Sequence, residues 1–493
     1  MTSTILIDYD RSIGEIDPHI FGGFIEHMGR MVYEGIYDPE SPLSDERGFR
    51  TDVLAALKEL APTVIRYPGG NMLSGYHWLD GVGAREKRPR KRDLAWQSIE
   101  SNQFGLNEFM QYCQELKTEP MLGVNLGTGT IEEAAALVEY CNADSGSYYA
   151  DLRQSHGIME PYHVKKWCLG NEMDGPWQIG HLEADEYGRK AREAAKMMKW
   201  QDSSIQLILC GSSNKTMPTF PEWDRQVLET CWEHVDYLSM HHYANNNAND
   251  TTSYLALALE FESFIDTLEG TLRYVRAKQR SNHQVFLSWD EWNVWYKNME
   301  TQGTWCEAPH LIEEVYNLED ALVVAQWMNV FLRRCNVLKM ACLAQLVNVI
   351  APILTTPEGL LRQTIFYPFQ LFSQFASGKS MEALCKSPLI ETPEFGDVPL
   401  LDVSASFDET TRKGAVFIVN RSQNGSESVN IKWQGFEPLK TAHVYQLAGD
   451  NPKLINSFDH PHNVRTVDLG DMPVVDQNIN IELPALSCTV IAV

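Results

Sequence analysis

Basic residues are scarce in this 493-residue chain: 41 lysines and arginines stand against 66 acids, giving a formal charge of -25. Such a surface repels nucleic acid and anionic membranes and favours neutral or cationic ligands. The chain has no run of 18 apolar residues that could cross a bilayer. Its first residues, MTSTILIDYDRSIGE, lack a basic segment followed by a long apolar one, so the expectation is a cytoplasmic protein with no membrane partner. Its ten cysteines are scattered singly, with no CxxC and no Cys/His pairing at zinc-like spacing. They read as reduced thiols packed as small hydrophobes. Neither an internal repeat nor a low-complexity tract is present. What remains, 44% hydrophobic and 22% charged, is the composition of a packed globular protein. The length suits a barrel of about 250 residues or more plus one smaller module.

Between residues 18 and 376, short apolar runs alternate with helical patterns. The strand candidates are His19–Phe24, Thr63–Tyr67, Pro120–Asn125, Val164–Leu169, Ile205–Cys210, Val235–His241, Val285–Trp289 and Leu338–Ala344. Near-continuous apolar runs are what parallel strands buried on both faces require. Between them, Leu106, Met110 and Cys113, and likewise Ile131, Ala134, Val138 and Cys141, recur at helical steps. Strand then helix, eight times, predicts a (β/α)8 TIM barrel over residues 16–376. Beyond Ser380 the helical period gives way to short alternating runs at Leu401–Ser406, Ala415–Val419, Val429–Trp433, His443–Leu447, Ile479–Leu483 and Cys488–Val493. These predict a jelly-roll-like β-sandwich over 377–493. Residues 1–15 include a further strand, Thr4–Tyr9, which precedes the first barrel strand and is free to pair with that sandwich.

A TIM barrel places its chemistry at the C-terminal ends of its strands. Just past the candidates lie Glu26-His27, Pro68-Gly69-Gly70-Asn71, Asn125, Gly170-Asn171-Glu172, His241-His242-Tyr243, Asp290-Glu291-Trp292-Asn293 and Gln345. Amides, carboxylates and aromatics together suit a sugar, whose hydroxyls need fixed partners and whose C–H face needs an aromatic platform. Glu172 and Glu291 follow strands four and seven, across the barrel mouth from each other. Retaining glycoside hydrolysis needs such a pair, roughly 5 Å apart. Trp96, Trp177 and Trp295 are candidate platforms, with core packing as the competing reading. His241-His242 does not read as a metal site, because neighbours on a strand point to opposite faces. The basic run from Arg85 to Arg92 reads as a solvated or subunit-contacting loop.

Six segments resemble glycoside hydrolase family 51, the α-L-arabinofuranosidases: FGGFIEHMGR (21–30), VIRYPGGN (64–71), RKRDLAWQSIESNQFG (90–105), WCLGNEMDGPWQIG (167–180), MHHYANN (240–246) and SWDEWNVWY (288–296). The resemblance runs nearly end to end. It implies that Glu172 is the acid/base and Glu291 the nucleophile of a retaining, exo-acting enzyme. It also implies that Asn171 donates to the sugar 2-hydroxyl, that Tyr243 hydrogen-bonds the nucleophile, and that Glu26, Arg66, Asn71 and Gln345 line the arabinofuranose subsite. For Arg66, a structural role beside the carboxylates competes with direct sugar contact. The implied partners are arabinose-containing oligosaccharides from arabinan or arabinoxylan, with no cofactor or metal, and a homo-oligomer, often a hexamer. A clan relative acting on β-xylosides or β-glucans and a non-catalytic carbohydrate-binding protein are the competing functions.

Overall fold

Eight of the apolar runs close into a barrel of parallel strands. In the computed structural model, which describes residues 2–297 and 305–493, they are β2 (Gly22–Phe24), β3 (Val64–Tyr67), β4 (Glu119–Val124), β5 (Lys166–Leu169), β6 (Gln206–Leu209), β7 (Tyr237–Ala244), β8 (Phe286–Val294) and β9 (Leu338–Leu343). They pair in sequence order, and β9 closes the ring on β2. Barrel interiors are packed cores, and this one is filled by side chains such as Phe24, Val64, Met121, Cys168, Ile208 and Met340. The two periodic segments form helices at Leu106–Leu116 and Ile131–Asn142. The second is capped by Thr130, whose side chain accepts a hydrogen bond from the Glu133 N–H.

β7 and β8 extend beyond the expected ends, so that Tyr243 and the Asp290–Asn293 segment lie within strands rather than after them. The reason is visible in the register. Ser288 pairs with Ser239 and Glu291 with His241, which sets three steps on β8 against two on β7. A β-bulge of this kind inserts a residue and re-aims the side chains around it. Trp289 and Trp292 turn outward onto Trp327 and Phe331, while Asp290 and Glu291 both turn toward the barrel's polar mouth.

The C-terminal strands form the sandwich: β10 (Lys379–Lys386), β11 (Leu401–Asp408), β12 (Lys413–Asn420), β13 (Glu427–Gln434), β14 (Thr441–Ala448), β15 (Val467–Pro473), β16 (Asn478–Leu483) and β17 (Ser487–Ala492). The first strand, β1 (Ser3–Glu15), joins it, antiparallel to β10 and parallel to β13. Ile5 and Ile7 thereby enter a core with Val403, Val416, Ile431 and Trp433. Helix Leu318–Arg333 is buried from Leu318 through Leu332, its apolar faces against barrel and sandwich and its few polar groups hydrogen-bonded. It packs on the barrel through Trp327 and on the sandwich through Asn329, which donates to Asp402 at 2.8 Å.

Candidate active site

Period two sorts the side chains of β7. Ser239, His241 and Tyr243 face the mouth, whereas His242 turns outward to Glu260 and the rings of Phe261 and Trp327. On the opposite wall, β5 ends at Leu169 and the chain swings through Gly170 (φ +90°) and Asn171 into Glu172, itself left-handed at φ +43°. A non-glycine residue there is strained, and strain of this kind gathers where surrounding structure dictates a side chain's aim. Glu172 is thereby turned across the mouth toward Glu291.

One carboxyl oxygen from each glutamate lies within 4.8 Å of the other, with the His241 ring between them. Glu291 accepts from Arg66 Nη1 at 2.6 Å and from the Tyr243 hydroxyl at 2.8 Å. Glu172 is held by Trp177 Nε1 at 2.6 Å and by His241 Nδ1 at 2.9 Å. Arg66, only 2% exposed, also donates to Asn171 Oδ1 at 2.6 Å and lies 3.6 Å from Asp290. It stands behind the carboxylates as their counter-ion. Burial and then Glu291 raise the Tyr243 hydroxyl, so it stays a proton donor. Burial also works to raise Asp290, yet Arg66 and then His241 hold it below the ordinary carboxylate range.

A pocket of about 440 Å³ opens on this pair, a size suited to a sugar. Glu26, Gly70, Asn71, Trp96, Glu172, Trp177, Tyr243, Glu291, Trp295 and Gln345 line it. Glu26 is buried and accepts from Trp96 Nε1 at 2.9 Å, the Met72 N–H at 3.1 Å and Gln345 Nε2 at 3.3 Å. Burial, reinforced by the charge of Glu291, pushes Glu26 up to about 8. Trp96 thus belongs to the site through its N–H as well as its ring. Trp177 is 49% exposed at the rim, and Trp295 packs edge-on against Tyr243. Every site residue expected from the sequence falls within this constellation, except that Arg66 and Asn171 stand behind the pocket wall.

Several residues with no role assigned from the sequence also belong here. His241 and Asp290 lie in the centre, Ser239 donates to Asp290, and Gln178 accepts from Asn171 Nδ2 at 3.3 Å. Ser213, Asn214 and Lys297 line the pocket without any motif to mark them. For His241 the signal was available: it shares strand parity with Tyr243. Asn125, by contrast, caps its own loop, accepting from the N–H groups of Gly127 and Gly129. Within the basic run, Arg88 is buried against Glu108 rather than solvated.

Two carboxyl groups facing each other at the C-terminal mouth of a parallel barrel, backed by a buried arginine, define a glycoside hydrolase of the two-glutamate kind. Two family models match the chain: the α-L-arabinofuranosidase 1 domain over residues 56–260 and the α-L-arabinofuranosidase C-terminal domain over 290–487. An intracellular exo-α-(1→5)-L-arabinofuranosidase of Bacillus subtilis is 47% identical, covering 99% of this chain and 98% of its own. An exo-α-(1→6)-L-arabinofuranosidase of Bifidobacterium longum is 40% identical, covering 100% and 97%. Among solved structures, a family 51 α-L-arabinofuranosidase from Bifidobacterium longum superposes with a TM-score of 0.96 at 38% identity and 99% coverage of both chains. The α-L-arabinofuranosidase of Thermotoga maritima in complex with arabinose gives 0.90 at 35% identity and full coverage of both. The chain belongs to the family 51 α-L-arabinofuranosidases.

Proposed function

We propose that this arabinofuranosidase releases terminal α-L-arabinofuranosyl residues with retention of configuration, Glu291 acting as nucleophile and Glu172 as acid and then base. The observation that carries the retaining mechanism is the approach of the two carboxyl groups to within 4.8 Å, the spacing of a nucleophile and its acid partner rather than of two groups flanking a water, while which glutamate plays which part follows the family resemblance. Glu291 forms a bond to the anomeric carbon while the glycosidic bond breaks and the departing oxygen takes the proton of Glu172. A water then loses a proton to Glu172 and displaces Glu291. Asn171 is assigned as the donor for the 2-hydroxyl, and to reach the sugar its Nδ2 must leave the 3.3 Å contact with Gln178 that holds it beside the pocket. Glu26, Asn71, Trp96 and Gln345 hold the furanose, and Trp177 and Trp295 flank the leaving sugar.

The substrates proposed are oligosaccharides of arabinan or arabinoxylan, with (1→5) linkages first because a relative of 47% identity bears that name. That relative's name also supports an intracellular location, and no helix among the described residues is long and apolar enough to cross a membrane. A homo-oligomer is part of the same proposal, and light scattering of the purified protein measures it. The roles are tested by substitution. Glu291→Ala should abolish turnover, whereas Glu172→Ala should keep activity on an aryl arabinofuranoside with a good leaving group and regain rate with azide. Full activity in Glu291→Ala overturns the assignment. Equal turnover of aryl β-xyloside or β-glucoside overturns the preference for arabinofuranosides.

A further inference from the structure

The two-step reaction gives no task to His241, yet this ring occupies the space between the two glutamates. Its Nδ1 lies 2.9 Å from Glu172 Oε1 and 3.5 Å from Glu291 Oε2. Behind the ring, Nε2 lies 3.2 Å from Ser239 Oγ and 3.4 Å from Asp290 Oδ1. The Ser239 hydroxyl is already committed to Asp290, so Nε2 must carry a proton to face that pair. On the other side, Nδ1 meets two carboxyl groups and must donate whenever either is ionised. These contacts call for a buried ring protonated at both nitrogens. Burial works against that charge, but Glu291, then Asp290 and Glu172, raise His241 to about 10.

We propose that His241 is a positioning residue whose one Nδ1–H follows the negative charge between the nucleophile and the acid/base through the catalytic cycle. This rests on the roles given above for Glu172 and Glu291. Before the first step Glu291 is ionised and Glu172 holds the proton destined for the leaving oxygen, so the Nδ1–H must tilt from the shorter Glu172 contact of this structure onto Glu291. Forming the ester neutralises Glu291 and leaves Glu172 ionised, and the same N–H then serves Glu172 without any proton leaving the ring. When water displaces Glu291 and protonates Glu172, the charge and the hydrogen bond return together. A fixed cation between two groups that exchange one charge stabilises both half-reactions with no reorganisation of solvent.

The charged groups around the ring set the sign of the test. Glu172 faces it from beyond β5, Asp290 and Glu291 from β8, and the Tyr243 hydroxyl from its own strand. Arg66 on β3 and Glu26 after β2 act through Asp290 and Glu291. Replacing the imidazolium by an amide removes a cation from beside both carboxyl groups. In His241→Gln, both limbs of the kcat/KM profile should therefore move to higher pH, by about one unit, and kcat should fall about tenfold or more. A lower profile with unmoved limbs is the mark of a merely structural role and overturns the inference. If the variant does not fold, histidine 15N NMR of the wild-type protein decides. One buried ring should stay doubly protonated above pH 8 and shift when a 2-fluoro-arabinofuranosyl inactivator esterifies Glu291, and a ring neutral at that pH overturns the inference. Unmoved limbs beside an inactive Glu291→Ala sink this inference alone, whereas an active Glu291→Ala sinks the role assignment with it.

Discussion

Arg66→Met separates the buried charge cluster from the apolar core as the support of the site. The guanidinium bonds Glu291 and Asn171 at 2.6 Å each, lies 3.6 Å from Asp290 and rests 4.6 Å over the Phe24 ring. Methionine keeps much of the stem volume, so the main loss is electrostatic. Breaking a buried pair by removing one partner costs about 3–5 kcal/mol, and here two carboxyl groups lose their cation, although Asp290 retains Ser239 and His241. We expect about 4 kcal/mol near neutral pH, within that same range. In the wild-type protein Asp290 is held below its ordinary value, so its contribution is complete above the unfolded pKa of about 3.9 and is lost as pH falls through the folded value. Without Arg66, burial is opposed only by His241 and Ser239, and the folded state takes up protons that the unfolded state releases. The variant then loses stability as pH rises from about 4, and its deficit is larger near pH 7.5 than near pH 5. Urea unfolding at both pH values and one protein concentration, followed by tryptophan fluorescence, measures this. A deficit below about 1 kcal/mol, or one that does not change with pH, refutes the reasoning.

Two further substitutions probe the pocket wall. Because Glu26 is pushed up to about 8, the folded protein holds a proton there that the unfolded chain gives up above about 4.3, and wild-type stability drains away as pH rises through that window. Glu26→Gln should therefore gain on wild type by up to a few kcal/mol between pH 5 and pH 8, less the penalty of presenting a donor to Gln345 Nε2; a pH-independent difference in thermal unfolding excludes a raised Glu26. Gly70→Ala would set a methyl 3.1 Å from Glu291 Oε1, 3.2 Å from Glu26 Oε2 and 3.5 Å from Asn171 Nδ2. Neighbours must give by tenths of an ångström, so the fold should survive while kcat/KM on an aryl arabinofuranoside falls about a hundredfold. Wild-type kinetics in a well-folded Gly70→Ala show that the pocket is looser than this packing implies.

The barrel was legible because its strands are buried on both faces, and such strands print themselves as apolar runs whatever their neighbours. The sandwich was legible only where a strand buries one face. Lys379–Lys386 and Val467–Pro473 were missed for a physical reason: the first carries Lys379, Glu382 and Lys386, and the second is an edge strand whose Val467, Leu469 and Pro473 face solvent. Alternation cannot report a strand with little core to point at. The hairpin Lys91–Asp93 with Ser98–Glu100 was hidden by its charges, and yet it is what carries Trp96 to Glu26.

Within the site, the two glutamates were legible because a strand end in a barrel of this kind is a place where chemistry collects. What failed was the assumption of a regular strand beyond Trp289. On an unbroken strand Asp290 and Glu291 would face opposite ways, and one would have to be discarded; the bulge against β7 lets both turn inward, so that Asp290 anchors His241 and Arg66 while Glu291 stays available to a sugar. That single inserted step also accounts for Trp289 and Trp292 lying on the same outer face, two apolar anchors on either side of two adjacent acids. The bulge is what puts the two tryptophans there: large apolar residues three apart on a strand share a face only when one residue between them is extra. Once both tryptophans face outward, both acids reach the mouth. Two adjacent buried acids are costly without counter-ions, and Arg66 and His241 lie against both.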